Sequence, residues 1–582
     1  MVRSILVRRI AGPASIRDSL TLLERLLTPQ RPIFGRALNR RRQHEGVATL
    51  APPSTTVLAP KPLRAGAIAR LAARARHLPV GPTAAVLGAL AAFVTWLGSW
   101  NPSYWGDEAA TVLSAERSIP ALFAELSHVD AVHGLYYLGM HFWIQLFGAS
   151  ELSTRLPSAL AVGALVAGTV MLGTRLAEVR FGILAGVACA VLPRTSFLAT
   201  ETRSYAIGTA IAVWIMVFFV GLWRRRELRR WPWLVLGALI ASASYLFLYL
   251  VLLAVVQGAV LLASERGRAL LRRWVQSLAV TAAGAAPIGL IAYAERHQVA
   301  FLAKRHYVTA QNVLVNQWFG MPGITVACWG LILLGLGVFV MGWRAGSTVA
   351  VLDRRRSDRE VLLVGAAWLV LPTALLVLGN AISPMYNTRY LSYSAPAAAL
   401  LIAFGAMTVT RIAVKAAADR RIRMSAVAVL GVVVVALAAL ATPDYLRDRG
   451  PFAKDGGSDM RQTADYIATH AQPGDAVVFD QSPKPSRRPE MAYRLYPQQF
   501  AAVTVPELLT PYYRRDSIWD RMEPIASIRS ELASAPSVWA VELPKGSDIP
   551  GDIQDLTAHG YRIVSTQLIN RLEVFQLQKE TV

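Results

Sequence analysis

Eleven stretches of this chain are apolar over close to the length at which a helix crosses a bilayer, about 20 residues. They lie at about 83–100, 153–175, 181–197, 204–222, 231–247, 248–263, 275–294, 322–343, 361–380, 390–411 and 425–441. So many long apolar segments do not fit one soluble core. They predict an α-helical polytopic membrane protein with about eleven transmembrane helices. The charge agrees. The formal net charge is +23, yet only 17% of residues are charged and the mean hydropathy is +0.39. A disordered polycation would be richer in charge and a nucleic-acid-binding domain less apolar, so neither class fits and no nucleic-acid partner is expected. The two cysteines, Cys189 and Cys328, both lie in apolar runs and give neither a disulfide framework nor a metal cluster.

The excess charge divides the chain into three parts. Residues 1–80 carry about +12, residues 81–442 about +14 and residues 443–582 about −3. The first part is Arg-rich, broken by Pro and Ser, and lacks the short basic, apolar and small-residue order of a secretory signal. It reads as a disordered cytoplasmic arm, or as a tail that binds anionic lipid. In the second part, basic clusters mark the cytoplasmic loops. They are Arg224, Arg225 and Arg226 with Arg229 and Arg230; Arg266, Arg268, Arg272 and Arg273; Arg354, Arg355 and Arg356 with Arg359; and Lys415 with Arg420, Arg421 and Arg423. Clusters flank both ends of 231–263, so that run must cross twice. Residues 134–148, aromatic and short, must not cross, or every later cluster would face outside; they predict an interfacial helix on the outer face. The N-terminus is then inside and the C-terminus outside.

With this topology, three polar clusters meet at one membrane depth on the outer side. The first follows the first span and holds Trp105, Asp107 and Glu108, then Asp130, His133 and Tyr136. An acidic pair at a membrane boundary can simply cap a helix, but carboxylates beside aromatic rings are also what sugar chemistry uses. An aspartate can take a hydroxyl proton as a general base. The second cluster holds Glu201, Arg203 and Tyr205, and the third Asn387, Arg389 and Tyr390. An outer-face arginine needs an anionic partner, and its fork of donors suits a lipid-linked phosphate. No nucleotide-binding loop and no metal-ligand spacing occurs with supporting context, so no cofactor is indicated and a divalent metal is left open. An enzyme acting outside would then need a donor already in the bilayer.

These residues resemble a known family. WGDEAAT (105–111), HGLYYLGMHFWIQLFGASELSTRLPSAL (133–160), ETRSYA (201–206) and TRYLSYSAPA (388–397), with the spacing of the spans over about 83–442, resemble GT-C fold glycosyltransferases that use polyprenyl-phosphate sugars. The likeness is to the branch of protein O-mannosyltransferases and aminoarabinose transferases. It implies that Asp107 is the catalytic base, with Glu108 beside it. It also implies that Arg203 and Arg389 hold the donor phosphate, and that Trp105, Asp130, His133, Tyr136, Arg155, Glu201, Tyr205 and Tyr390 line the substrate sites. The aminoarabinose branch has Arg where this chain has Ala110, and a Glu-Lys pair at Val132 and His133. The family's HPPL is here His133-Gly134-Leu135. The Ala- and Arg-rich chain with HGLYY resembles bacterial mannosyltransferases of actinobacterial envelopes, which implies mannose and a glycolipid, polysaccharide or protein acceptor. A lipid or sugar transporter also has many spans and intramembrane polar groups, but here the charges gather on one face and no internal repeat appears.

After Pro443 the pattern becomes that of a small α/β domain over 443–582. A helix is predicted at 459–471 and strands at 476–480, 500–505, 537–543, 561–569 and 572–577. This domain is expected outside, above the site, as a cap or as the part that recognises the acceptor. Asp480 ends a strand without an evident partner.

Overall fold

The computed structural model describes residues 79–580 apart from 299–301, 303–304, 345–348, 421, 423, 545 and 547. The basic arm to residue 78, Arg421 and Arg423 lie outside the described residues. The chain is an α-helical polytopic membrane protein with a C-terminal α/β domain. Among the described residues, seven helices are long and apolar enough to cross a membrane: α5 (Glu151–Leu176), α8 (Tyr205–Arg225), α11 (Leu271–Ala294), α12 (Pro322–Arg344), α13 (Val349–Gly379), α14 (Ala395–Asp419) and α15 (Ala426–Arg447). Four shorter apolar helices complete the set of eleven: α1 (Val80–Trp96), α6 (Val179–Val191), α9 (Trp231–Ser244) and α10 (Leu252–Ala263). Their outer faces expose large apolar side chains such as Val86, Leu290, Val326 and Val432, a surface suited to lipid rather than water.

Helix packing follows from small residues. α5 packs against α1, α6 and α8. Where α1 crosses α5, Gly88 and Gly163 face each other, and a Cβ on Gly88 would stand 2.6 Å from the Gly163 carbonyl oxygen. The run 231–263 folds as a hairpin. It breaks at Phe247, whose backbone is extended, and Trp223 at the end of α8 donates to Ser264 at the end of α10. The basic ends then converge. Arg224, Arg266 and Arg356 all lie within 3.6 Å of the Glu360 carboxylate, so three of the four basic clusters share one end of the bundle. α13 begins well before the predicted 361 because its Arg-rich start is itself good helix, pinned by the Arg356–Glu360 pair one turn apart.

The opposite end carries α2 (Gly106–Glu116), α3 (Ile119–Leu126), α4 (Gly134–Phe147) and α7 (Pro193–Leu198). α4 is 14 residues, about 21 Å at 1.5 Å per residue. Both of its flanks stay at this end: Tyr137 donates to Asp130 just before it, and the Ala149 carbonyl just after it accepts from Tyr104. It therefore lies along the end of the bundle, burying Tyr136, Tyr137 and Met140 and exposing Leu135, Phe142 and Leu146.

The α/β domain is a four-stranded sheet of order β1–β4–β6–β5: β1 (Ala476–Phe479), β4 (Val538–Glu542), β6 (Glu573–Lys579) and β5 (Tyr561–Leu568). β1 and β4 run parallel; the other pairs are antiparallel. A two-stranded ribbon, β2 (Leu508–Thr510) with β3 (Arg521–Met522), stands apart. α16 (Met460–His470) covers one face and α17 (Gly551–Ala558) the other, so β1 and β4 are buried on both sides. Residues 500–505 do not form the predicted strand. Pro497 starts a 3-10 turn through Phe500, and only Thr504 reaches the sheet, as a single bridge to Ala476.

The core on the α16 face continues into Tyr104, Ala109 and Val112 at α2. Hydrogen bonds clamp the strand before α2: the Tyr496 hydroxyl accepts from the Tyr104 N–H at 3.2 Å and donates to Glu151 at 2.6 Å, and Arg461 donates to the Trp100 carbonyl at 3.0 Å. The domain thus fixes the segment from which α2 starts.

Candidate active site

Trp105 is extended and hands the chain to α2, whose first turn holds Asp107 and Glu108. Carboxylates there favour the helix dipole. The two then diverge. Glu108 is 0% exposed and accepts from Arg155 through both oxygens, at 2.8 and 2.6 Å, and from the Thr202 N–H at 2.8 Å. The other end of the Arg155 guanidinium donates to the carbonyls of Ser99 and Pro102. Arg155 thereby ties α5 to the start of α2 and to the Ser99–Pro102 segment. Asp107, in contrast, leaves 33% of its side chain open and meets Arg389 Nη1 at 3.0 Å.

Arg389 comes from the Thr388–Ser394 turn that opens α14, where the Asn387 side chain accepts from the Arg389 N–H. Its guanidinium lies 4.7 Å from the Trp105 ring centre and 5.9 Å from that of Tyr205, a cation held between aromatic faces. Nη1 also lies 3.8 Å from Glu201 Oε1. Tyr205, Tyr390, Tyr249 and Phe247 extend this wall as a ring-to-ring cluster.

Arg203 lies deeper. It donates to the Asp107 carbonyl at 3.0 Å, to Thr111 and Tyr137 at 3.2 Å, and contacts His133 Nε2 at 2.9 Å. Tyr137 in turn donates to Asp130, which sits in left-handed backbone at φ 61°. Arg203 thereby fixes the start of α2 from below. Burial by itself would raise the Asp107 carboxyl; Arg389 and then Arg203 outweigh it and hold it below its ordinary range. Burial, with Arg203 adding to it, pushes His133 down to about 4, so its imidazole is neutral near neutral pH.

All twelve residues predicted for the site lie on α2, α4, α5, the first residue of α8 and the loops and turns at this end. Several buried polar atoms find no hydrogen-bond partner among the described residues: Trp105 Nε1, His133 Nδ1 and both carboxylate oxygens of Glu201. Buried polar groups are normally paired. This concentration around Asp107 is what a hydroxyl-rich substrate would satisfy.

Sequence reasoning missed Lys454. It stands seven residues after the last span, and the chain folds it back so that Nζ donates to Thr200 at 2.8 Å and lies 3.8 Å from Glu201 Oε1. A signal was present: Lys454 is one of only seven lysines in an Arg-rich chain. Asp480 also has company. It accepts from the N–H groups of Ser482 and Leu543 and lines a cavity of about 280 Å³ with Glu507, Glu542 and Asp552, within the α/β domain.

No family model matches the chain, and no curated protein matches it in sequence. Solved structures do resemble it. ArnT from Cupriavidus metallidurans bound to undecaprenyl phosphate has a TM-score of 0.46 at 15% identity, over 84% of this chain and 97% of that one. The archaeal oligosaccharyltransferase AglB from Archaeoglobus fulgidus, in complex with an inhibitory peptide and a dolichol-phosphate, has a TM-score of 0.41 at 9% identity, over 78% and 69%. The arabinofuranosyltransferase AftD from Mycobacteria has a TM-score of 0.41 at 16% identity, over 85% and 40%. At these scores no residue role carries across.

Proposed function

We propose that this protein is a GT-C type membrane glycosyltransferase. It moves a sugar, mannose on the sequence resemblance, from a polyprenyl-phosphate donor to a hydroxyl of an envelope glycolipid or polysaccharide. The site faces outward, and the Glu360 end, where basic clusters gather, faces the cytoplasm. One observation carries the reading. Asp107 is the site's open carboxylate, it is held ionised, and it lies beside an arginine stacked between aromatic rings at the end of a membrane bundle.

Each group then has a role. Arg389 receives the donor phosphate and stabilises the charge that develops on it as the bond to the anomeric carbon breaks. Asp107 takes the proton of the acceptor hydroxyl as its oxygen attacks that carbon. The lipid phosphate leaves as a stable anion and needs no proton, and direct displacement inverts the centre. Trp105, Tyr205 and Tyr390 offer faces to the sugar, and Glu201 accepts from its hydroxyls. Glu108, Arg155 and Arg203 hold Asp107 in place without touching substrate. The test is transfer from polyprenyl-phosphate mannose in membranes carrying Asp107→Asn. Transfer should be lost while the protein stays folded; wild-type transfer would remove Asp107 from the chemistry.

A further inference from the structure

The site contains a chain of alternating charge. Lys454, Glu201, Arg389 and Asp107 follow one another at 3.8, 3.8 and 3.0 Å. Its first member does not belong to the bundle. Lys454 lies between α15 and α16, in the segment that leads to the α/β domain, and is only 2% exposed. Glu201 is 1% exposed, its carboxylate accepts no hydrogen bond among the described residues, and Arg389 and Lys454 are its cations within 4 Å; Arg194 acts on it from farther off, its guanidinium donating to the Asn316 and Gln317 carbonyls. A buried carboxylate must keep at least one counter-ion. Without Lys454, the cation left within 4 Å of it is Arg389, the group a phosphate would need.

We propose that Lys454 is a positioning residue: by holding Glu201, it leaves Arg389 free to turn from the two carboxylates toward a lipid-linked phosphate. This rests on the donor-phosphate role given to Arg389 above. The α/β segment then completes the site. The charge balance points the same way: Asp107, Glu108, Asp130 and Glu201 face Arg155, Arg203, Arg389 and Lys454, with Arg194 a further buried cation behind Glu201, so losing the lysine charge makes the site one unit less positive toward an anionic ligand.

Lys454 faces Thr200, Glu201 and the Phe197 ring directly, with Glu108, Arg155 and Asp448 around it. Burial outweighs Glu201 and brings its ammonium down to about 8. The charge is present below that value and lost as pH rises through it, so phosphate affinity should fall above about 8. Burial also pushes the carboxyls of Glu490 and Glu507 in the α/β domain up to about 7 and 8, so a variant that keeps them is needed as a control.

Undecaprenyl phosphate is a suitable probe. Its phosphate, with a second ionisation near 6, is already doubly charged from pH 7 upward. Binding would be measured by calorimetry on the purified full chain in detergent between pH 7 and 9.5. Wild type should hold its affinity to about pH 8 and then weaken. Lys454→Met should bind about tenfold more weakly at pH 7, as expected for one lost charge-charge contact, and show no further fall. Lys454→Arg, charged at every pH used, should bind like wild type at pH 7 and lose the alkaline fall. A Lys454→Met variant with wild-type affinity, or a Lys454→Arg variant that keeps the fall, would overturn the proposal. Asp107→Asn in the same assay separates the two readings. It should bind the lipid phosphate at least as tightly yet transfer nothing. If it transfers sugar, the reaction assigned above fails while the binding result for Lys454 stands.

Discussion

Glu108 and Arg155 form a buried pair that the sequence resemblance placed among the working residues, and their stability can decide what they do. Arg155→Met keeps most of the side-chain volume but leaves Glu108, 0% exposed, with the Thr202 N–H as its remaining partner. An uncompensated buried charge costs about 3–5 kcal/mol. The Ser99 and Pro102 carbonyls lose their donor as well, at about 1 kcal/mol each. Glu108→Gln strands the arginine instead and costs about 3 kcal/mol or more. The double variant removes both charges and retains only the carbonyl losses, about 2 kcal/mol. The double variant should therefore be more stable than Arg155→Met alone. Thermal unfolding of the purified proteins in detergent reads the order directly. If Arg155→Met unfolds no earlier than the double variant, the pair does not hold the site together. If Glu108→Gln abolishes transfer with an unchanged unfolding temperature, Glu108 acts on the substrate itself.

Three further outcomes follow from the geometry. A Cβ on Gly106 would stand 2.1 Å from the Ser486 carbonyl oxygen of the α/β domain, so Gly106→Ala should loosen that domain from α2; protease accessibility of 459–579 should rise, and unchanged cleavage would refute the contact. Asp107 must be ionised to act, and its cations hold it low, so the acid limb of kcat/KM should lie below the ordinary aspartate range. Arg203→Met removes one of those cations and should move that limb upward; an unmoved limb would mean that Arg203 does not act on Asp107. At the other end, Glu360→Gln takes away the shared partner of Arg224, Arg266 and Arg356, and unfolding should come earlier, by about 1–3 kcal/mol once the partial exposure of the arginines is discounted; an unchanged transition would make the three pairs incidental.

The spans and the site pairs were not equally legible in the sequence, and the reason is physical. Crossing a bilayer depends on the summed apolarity of one continuous segment, so the eleven helices could be located from runs alone, and the hairpin at 231–263 from the basic residues flanking it. An ion pair depends on two residues whose separation only the fold sets. Glu108 finds Arg155 47 positions away, and Asp107 finds Arg389 282 positions away. The sequence showed that these charges stand at one depth. It did not show that the neighbours Asp107 and Glu108 take opposite fates, one open and one sealed, because that depends on which arginine each meets. Lys454 was least legible of all. It belongs by sequence to the segment after the bundle and by position to the site within it. A boundary drawn where hydropathy changes assigns residues to environments by their neighbours in the chain. It fails where a soluble segment turns back and donates a charge to a buried carboxylate. Glu201, whose carboxylate accepts no hydrogen bond among the described residues, shows that such a charge was needed there: a buried carboxylate calls for a nearby cation, and the fold supplies one from beyond the last span.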